Sequence, residues 1–559
     1  YLLIDPMFGV NFSLADQLAF SLGMSSESNE RIEAAVLYEL TFNSDAGHCF
    51  IPYSKLCAVT AELIGAPLSR VESAVSALLE DNSLVLESIC GEDACYLTYL
   101  YEVEVAVAMH LRSMLDAWHD GTFDPSDLIE RIEAAERISY APLQREALRV
   151  AANAPLFILT GGPGTGKTTV IRGILSLYER MGLSCFLAAP TGRAAKRMSE
   201  FCGIESKTIH RMLEMGYSDQ GSAFPIFGRD HDTPLECDVL ILDEVSMVDL
   251  PLMRALLDAL KPDTRLILVG DADQLPSVGP GNILKDLIDS GEIQTVALTE
   301  IFRQARESNI VVGAHEINQG ELPDLTRKTG DLFFLPRREY SSLIETIVEL
   351  CTKRLPENMG IPSNQIQVLT TNRKYETGTL ILNRKLQEAL NPPAPDKSEK
   401  RIGDKLFRVG DRVMQIRNNY DIVWLHASNT EHGTGIFNGD VGEILKIDLS
   451  AEMMTIRFDD RVANYPFTQF HELELAYAMT VHKAQGSEFR AVIFAALGGS
   501  PYLLHRSVLY TAVTRARELL LLVGERATLQ RMVQNNRQRR RYSALRARLS
   551  ENLFGGTRS

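Results

Sequence analysis

Residues 161–168 read GGPGTGKT, which fits the phosphate-loop spacing G-x-x-x-x-G-K-[ST] at every fixed position. This run constrains the fold because such a loop works only between a strand and a helix. The apolar run 156–159 predicts the strand, and residues 169–180 predict the helix that follows. Glycines let backbone N–H groups curl around phosphate oxygens, and the helix N-terminus adds a favourable dipole. Lys167 is placed to reach the β- and γ-phosphates, and the Thr168 hydroxyl to ligand Mg²⁺. Gly162, Pro163, Gly164, Thr165, Gly166 and Thr169 complete the cradle. A nucleoside triphosphate is the implied ligand, on an α/β scaffold.

With 559 residues the chain exceeds one core, and length alone suggests roughly three to five domains. No apolar run approaches the ~18 residues of a membrane span. The eight cysteines are scattered without CxxC pairs, which predicts reduced thiols in a cytoplasmic protein and not a disulfide framework or a zinc site. The chain opens on Tyr1, not Met, which predicts a missing N-terminal piece. A net charge of −16 argues against a nucleic-acid partner, but a local basic groove can sit on an acidic body. The tail 537–548 (RQRRRYSALRAR) is such a basic run, or equally a solvated helix face. Charge leaves the partner undecided.

Residues 1–120 predict short helices and a small hairpin, a winged-helix-like pattern. Helical spacing covers 29–40, and 68–79 opens on a capping signal, Ser69 with Glu72. Alternating runs follow at 84–89 and 96–101. Strand–helix alternation then predicts a doubly wound parallel sheet, with strands at 156–159, 185–189, 239–242 and 265–269. A second α/β set, with strands at 366–369, 491–495 and 519–523, carries no phosphate loop. One nucleotide site and two such cores place the site in the cleft between them. The second set is broken by NPPAP at 391–395, and 403–470 reads as short strands forming an inserted β-barrel. Its strands include 408–412 and 453–459, with a turn at Asn438, Gly439 and Asp440.

The run 239–242 ends in Asp243 and Glu244, where the strand opens into the ligand crevice. Asp243 is placed to hold Mg²⁺ and Glu244 to orient or deprotonate the attacking water. Gln274 falls at the next strand end, beside the γ-phosphate, unless it merely caps its loop.

GGPGTGKTT (161–169), APTGRAAKRM (189–198), KTIHRML (207–213), LDEVSMVD (242–249), GDADQLPSVGPG (270–281), LTEIFRQ (298–304), TVHKAQGSEF (480–489) and LYTAVTRAR (509–517) stand in the order seen in superfamily 1 DNA helicases. From Gln144 onward the chain resembles the RecD family of the 5′→3′ branch. The N-terminal region resembles, more loosely, the helix-hairpin-helix-like and winged-helix-like extension of stand-alone RecD-like helicases. The resemblance implies tandem RecA-like cores, at 121–300 and at 301–402 with 471–559, after an N-terminal region at 1–120. It also implies an SH3-like insertion at 403–470. Gln144 matches the glutamine that reads adenine, and Arg303 and Arg515 match arginines that the second core presents to the γ-phosphate. Thr191, Arg193, His210, His482 and Lys483 fall in motifs lining the single-strand path, where such groups suit phosphate contacts.

The implied activity is an ATP- and Mg²⁺-dependent helicase that moves 5′→3′ on single-stranded DNA and unwinds duplex, in repair or recombination. Its expected partners are single-stranded DNA and duplex junctions, with a single-strand-binding protein or repair factors. A monomer away from membranes is expected. The alternatives are a DNA-stimulated translocase that displaces proteins, or a subunit of a nuclease–helicase complex, and composition does not distinguish RNA. No nuclease carboxylate cluster or relaxase signature is visible. Residues 217–234, including Gly221, Phe224, Pro225, Phe227 and Gly228, are spaced as a hairpin. They read either as a surface loop or as a wedge against which duplex is split.

Overall fold

A computed structural model describes residues 10–117, 123–216, 226–428, 432–536 and 541–551. Its centre is a six-stranded parallel sheet in the spatial order Gln294–Leu298, Leu156–Gly161, Arg265–Gly270, Val239–Leu242, Cys185–Ala189, Ser206–Thr208. The middle strands are continuous apolar runs because both faces are covered. Phe157, Leu159, Ile241 and Val269 pack against helices Pro142–Asn153 and Lys167–Met181. Ile158, Leu240, Leu242 and Leu268 pack the other way, against Leu250–Asp258 and Ile283–Ser290. The phosphate-loop strand therefore sits mid-sheet, with Leu159 beside Val269.

A second parallel sheet has the order Leu332–Pro336, Ala516–Gly524, Phe489–Ala496, Ile366–Thr370, Ala478–Thr480. Between its elements lies a curled, seven-stranded antiparallel sheet running from Arg412–Gln415 to Leu473–Leu475 in sequence. Phe458, Tyr465, Phe470, Ile444 and Ile456 fill its core. The strand expected at 408–412 is instead a turn between Lys405–Arg408 and Arg412–Gln415. Buried Asp411 makes that turn, accepting from Arg408 N (2.7 Å), Gln387 Nε2 (2.5 Å), Asn391 Nδ2 (2.8 Å) and Tyr477 Oη (2.9 Å). A carboxylate with four donors fixes a corner that apolar patterning hides.

At the N-terminus, helices Asn29–Asp45, Tyr53–Ile64 and Leu68–Glu80 precede a hairpin of Leu84–Ile89 and Glu92–Leu97, with Phe50–Pro52 on its open side. Cys90 and Gly91 turn it with φ of 50° and 81°, the paired positive values that a two-residue hairpin prefers. Two expectations are corrected. The third helix begins after Pro67, with no side-chain cap, so Ser69 lies inside its first turn. The run 96–101 is the end of a strand and the start of helix Thr98–Asp116, whose buried side chains mimic alternation.

The basic tail proves to be neither of the two surfaces expected of it, over the part that is described (537–540 lie outside). Helix Leu545–Glu551 leaves the second core and packs against Ile283–Ser290 and Thr98–Asp116. Arg548 is fully buried, donating to Glu87 Oε2 at 2.5 Å and Glu104 Oε2 at 3.4 Å. Glu104 also accepts from Tyr96 Oη (2.9 Å), Ser543 Oγ (2.9 Å) and Ala544 N (3.0 Å). Breaking such a pair leaves a buried charge alone, at a cost of about 3–5 kcal/mol. Arg548→Ala should therefore lower unfolding free energy by that order in urea titrations, with the double variant Glu104→Gln/Arg548→Met losing less. A single variant as stable as the parent would show the pair to be idle.

All eight cysteines are free. Among the described residues no helix is long and apolar enough to cross a membrane.

Candidate active site

Strand Leu156–Gly161 delivers the loop, and helix Lys167–Met181 leaves it. Gly166 has φ 82°, and a Cβ there would lie 2.5 Å from Gln144 Nε2 and 2.9 Å from the Phe302 ring. Conformation and crowding both require glycine at this corner. Gln144 is buried on helix Pro142–Asn153, where its Oε1 accepts from Ala141 N at 3.1 Å. That bond holds its amide against the loop. Thr165 Oγ1 donates to Gly162 O at 2.9 Å, and Gly164 is also left-handed at φ 73°. Lys167 Nζ donates to the carbonyls of Gly161 and, at 3.1 Å, Gly162. Thr168 and Thr169 are exposed on the first helical turn, and Pro163 O lies 3.2 Å from His315 Nε2 of the second core.

Strand Val239–Leu242 ends at Asp243, which is buried beside Glu244. Burial and then the Glu244 charge push the Asp243 carboxyl up to about 6. A carboxylate so disfavoured has chemical reason to take a cation, and Thr168 lines the same cleft. Glu244 has φ 54°, a left-handed value that bends the chain and turns the carboxylate into the cleft. Arg197 Nη2 reaches Glu244 Oε1 at 3.2 Å and Asp243 Oδ2 at 4.0 Å. Its Nη1 pairs with Glu488, from the other core.

The second core closes over this floor. Arg515, 2% exposed, donates to Gln274 Oε1 at 3.1 Å, to Ser487 O at 3.2 Å and to Thr511 O at 3.2 Å. Gln274 in turn donates to Asp271 Oδ2 at 3.2 Å, which also accepts from Tyr510 Oη at 2.8 Å. Leu275 N donates to Thr511 Oγ1 at 3.0 Å, and Gln485 Nε2 to Leu275 O at 2.7 Å. Lys167, Thr168, Asp243, Glu244, Gln274 and Arg515 line one cleft, although Arg515 comes from the opposite sheet. The side chain of Arg303 lies outside the described residues; its backbone opens helix Arg303–Arg306, next to Phe302 on the loop.

The remaining predicted residues divide into groups. Thr191 caps helix Gly192–Cys202 and lies against Gly486, where a Cβ would stand 2.6 Å from Thr191 Oγ1. Arg193 Nη1 donates to Ser487 Oγ at 3.3 Å. His210 is pulled down to about 4 by burial and is therefore neutral near pH 7. Burial, with Arg541 nearby, also lowers His482. Lys483 pairs with Glu474 at 2.7 Å. Residue-by-residue reading missed Arg197, Glu488, Asp271 and Tyr510. All four stand inside the quoted motifs, but their partners lie on distant segments.

Family models agree with this arrangement along the chain. The model of the ATP-dependent RecD2 DNA helicase HHH domain matches residues 1–50, and an AAA-domain model matches 144–280. The ATP-dependent RecD-like DNA helicase SH3 domain matches 382–458, and the UvrD-like helicase C-terminal domain 475–523. The ATP-dependent RecD2 DNA helicase of Deinococcus radiodurans is 34% identical over 547 residues, 96% of this chain and 71% of that protein. The chain belongs to the RecD2-like family of ATP-dependent DNA helicases. The RecBCD enzyme subunit RecD of Mycobacterium tuberculosis (strain H37Rv) is 30% identical over 458 residues, covering 74% of each chain. A crystal structure of Bacteroides Pif1 helicase with ADP-AlF3 and single-stranded DNA aligns with a TM-score of 0.41, 19% identity, 71% of this chain and 94% of that one.

Proposed function

We propose that this helicase moves 5′→3′ along single-stranded DNA and that its step is closure and reopening of the cleft between the two parallel-sheet cores. The observation that carries this is Arg515, buried in the seam and donating to Gln274 of the opposite core within the cleft that holds Lys167 and Glu244. Lys167 and the loop amides would bind the triphosphate, with Gln144 against the base-side corner. Asp243 and Thr168 would hold Mg²⁺, which supplies charge neutralisation at the phosphates. Glu244 would take a proton from the attacking water, and the Arg515 fork, with Arg303, would meet the charge that develops on the phosphoryl oxygens. Thr191 and Arg193, set against Gly486 and Ser487 across the seam, would let the two cores grip a strand differently in each state. His210, His482 and Lys483 would extend that contact.

The base of the expected wedge is a two-residue antiparallel pairing, Met215–Gly216 with Ile226–Phe227. Residues 217–225, with Gly221, Phe224 and Pro225, lie outside the described residues.

Polarity is tested with partial duplexes bearing either a 5′ or a 3′ single-stranded tail. With ATP, the 5′-tailed duplex should separate and the 3′-tailed one should not. Unwinding confined to the 3′ tail would reverse the direction. DNA-stimulated hydrolysis without separation of either duplex would favour a translocase that displaces proteins.

A further inference from the structure

A second cleft adjoins the first, and the two share a wall. Arg197 and Glu488 line both. Their ion pair runs from helix Gly192–Cys202 of the first core to the residue before strand Phe489–Ala496 of the second. On the inner side, Arg197 touches the Glu244 carboxylate at 3.2 Å. On the outer side lies a cavity of about 490 Å³, against ~30 Å³ for one liquid water, so a phosphate fits with its hydration shell.

Basic side chains outnumber acidic ones in the outer cleft, six to four. Arg193, Lys196, Arg412, Arg490 and Arg517 face it. Arg490 is paired with Glu518 at 2.6 Å, but no carboxylate oxygen among the described residues comes within 4.0 Å of the other four. Among the described residues of the cleft, Glu200 and Asp459 oppose them without an ion pair of their own, and the Asp440 charge also acts on Arg193. Arg412 is half-buried, with one bond to Ile366 O at 3.1 Å. Burial, and then the neighbouring Arg193 charge, bring its guanidinium down to about 10. Two neighbouring arginines, both desolvated and neither held in an ion pair, can accept an oxyanion, although the Asp459 and Asp440 charges offset part of that pull at Arg193.

We propose that this outer cleft is the departure route for the inorganic phosphate formed by hydrolysis, with the Arg197–Glu488 pair as its gate. The idea rests on hydrolysis occurring in the inner cleft, as argued above. Because the pair spans the two cores, it parts when they separate. Phosphate then leaves toward Arg193 and Arg412, so product release is tied to reopening. A DNA backbone phosphate offers the same chemistry, and Arg193 also belongs to the proposed strand contact.

The test follows ATP cleavage by quenched flow and free phosphate by a fluorescent phosphate-binding sensor, both with saturating single-stranded DNA. Two variants weaken the route: exposed Lys196→Glu with Arg517→Glu, and Arg412→Gln. Focused charge changes rates by roughly 10–10³-fold, so each variant should release phosphate at least about tenfold more slowly than it cleaves ATP. DNA affinity should be unchanged in the exposed pair of substitutions. Glu488→Gln should release phosphate faster, relative to cleavage, than the parent. Release that keeps pace with cleavage in both weakened variants overturns the route. A fall in DNA affinity with release unaffected overturns it in favour of a strand phosphate. Release in Glu488→Gln no faster than in the parent overturns the gate. A parent that does not cleave ATP would instead refute the hydrolytic reading.

Discussion

Arg515→Ala should lower DNA-stimulated ATP turnover by roughly 10³–10⁵-fold, the contribution of an arginine placed on the transferring phosphoryl group. Nucleotide affinity should change far less, because the loop, Lys167 and Gln144 all belong to the first core. Charge spreads over the phosphoryl oxygens only in the transition state, so a fork from the other core acts mainly there. Single-stranded DNA should still bind the open form. Arg515 is also a buried structural donor, to Gln274, Ser487 and Thr511, so its removal has a second effect. Arg515→Lys separates the two. It keeps the charge but loses the planar fork, so turnover should stay low while thermal stability falls less than in Arg515→Ala. Steady-state ATPase with binding of a fluorescent ATP analogue reads both quantities. Turnover within a few-fold of the parent in Arg515→Ala would remove the closed cleft from the mechanism.

The residues of this cleft are legible in the sequence to different degrees. The strands that carry Lys167, Asp243 and Gln274 lie mid-sheet, buried on both faces, so their apolar runs announce them. Edge strands do not have that signature. Gln294–Leu298 shows residues to solvent, Ser206–Thr208 has three residues, and Leu332–Pro336 is half covered; none stood out from the sequence. Long-range charge pairing was invisible for a different reason. Arg548 sits 444 positions from Glu104, and Arg197 sits 291 from Glu488, so nothing local says that either is paired. A basic run therefore looked like a surface, although Arg548 is internal and a second arginine is half-buried. Arg541, the other, donates to Gly279 O at 3.0 Å and Gly281 O at 2.6 Å, bracing the loop after Gln274. The motifs mark the floor of the inner cleft, and the fold supplies the wall between the two clefts.

Glu244→Gln should keep nucleotide binding and lose roughly 10²–10⁴-fold in turnover, the usual worth of a positioned general base. The substitution is close to isosteric, and an amide oxygen can still accept from Arg197, so the ties around the cleft persist. The backbone at this position has φ 54°, and glutamine meets it at the same steric cost as glutamate. What disappears is a group able to take a proton from water. The variant should therefore bind ATP and stall before cleavage, holding the cores together. Single-stranded DNA would then show the affinity of the ATP-bound state for long periods, and strand separation would cease. Lys167→Ala should differ in kind, since it removes the phosphate clamp and weakens ATP binding itself. Quenched-flow cleavage, measured with analogue binding on the same preparations, distinguishes the two variants. Near-parental cleavage by the Glu244→Gln protein would take that residue out of the base's role and pass it to another group lining the cleft.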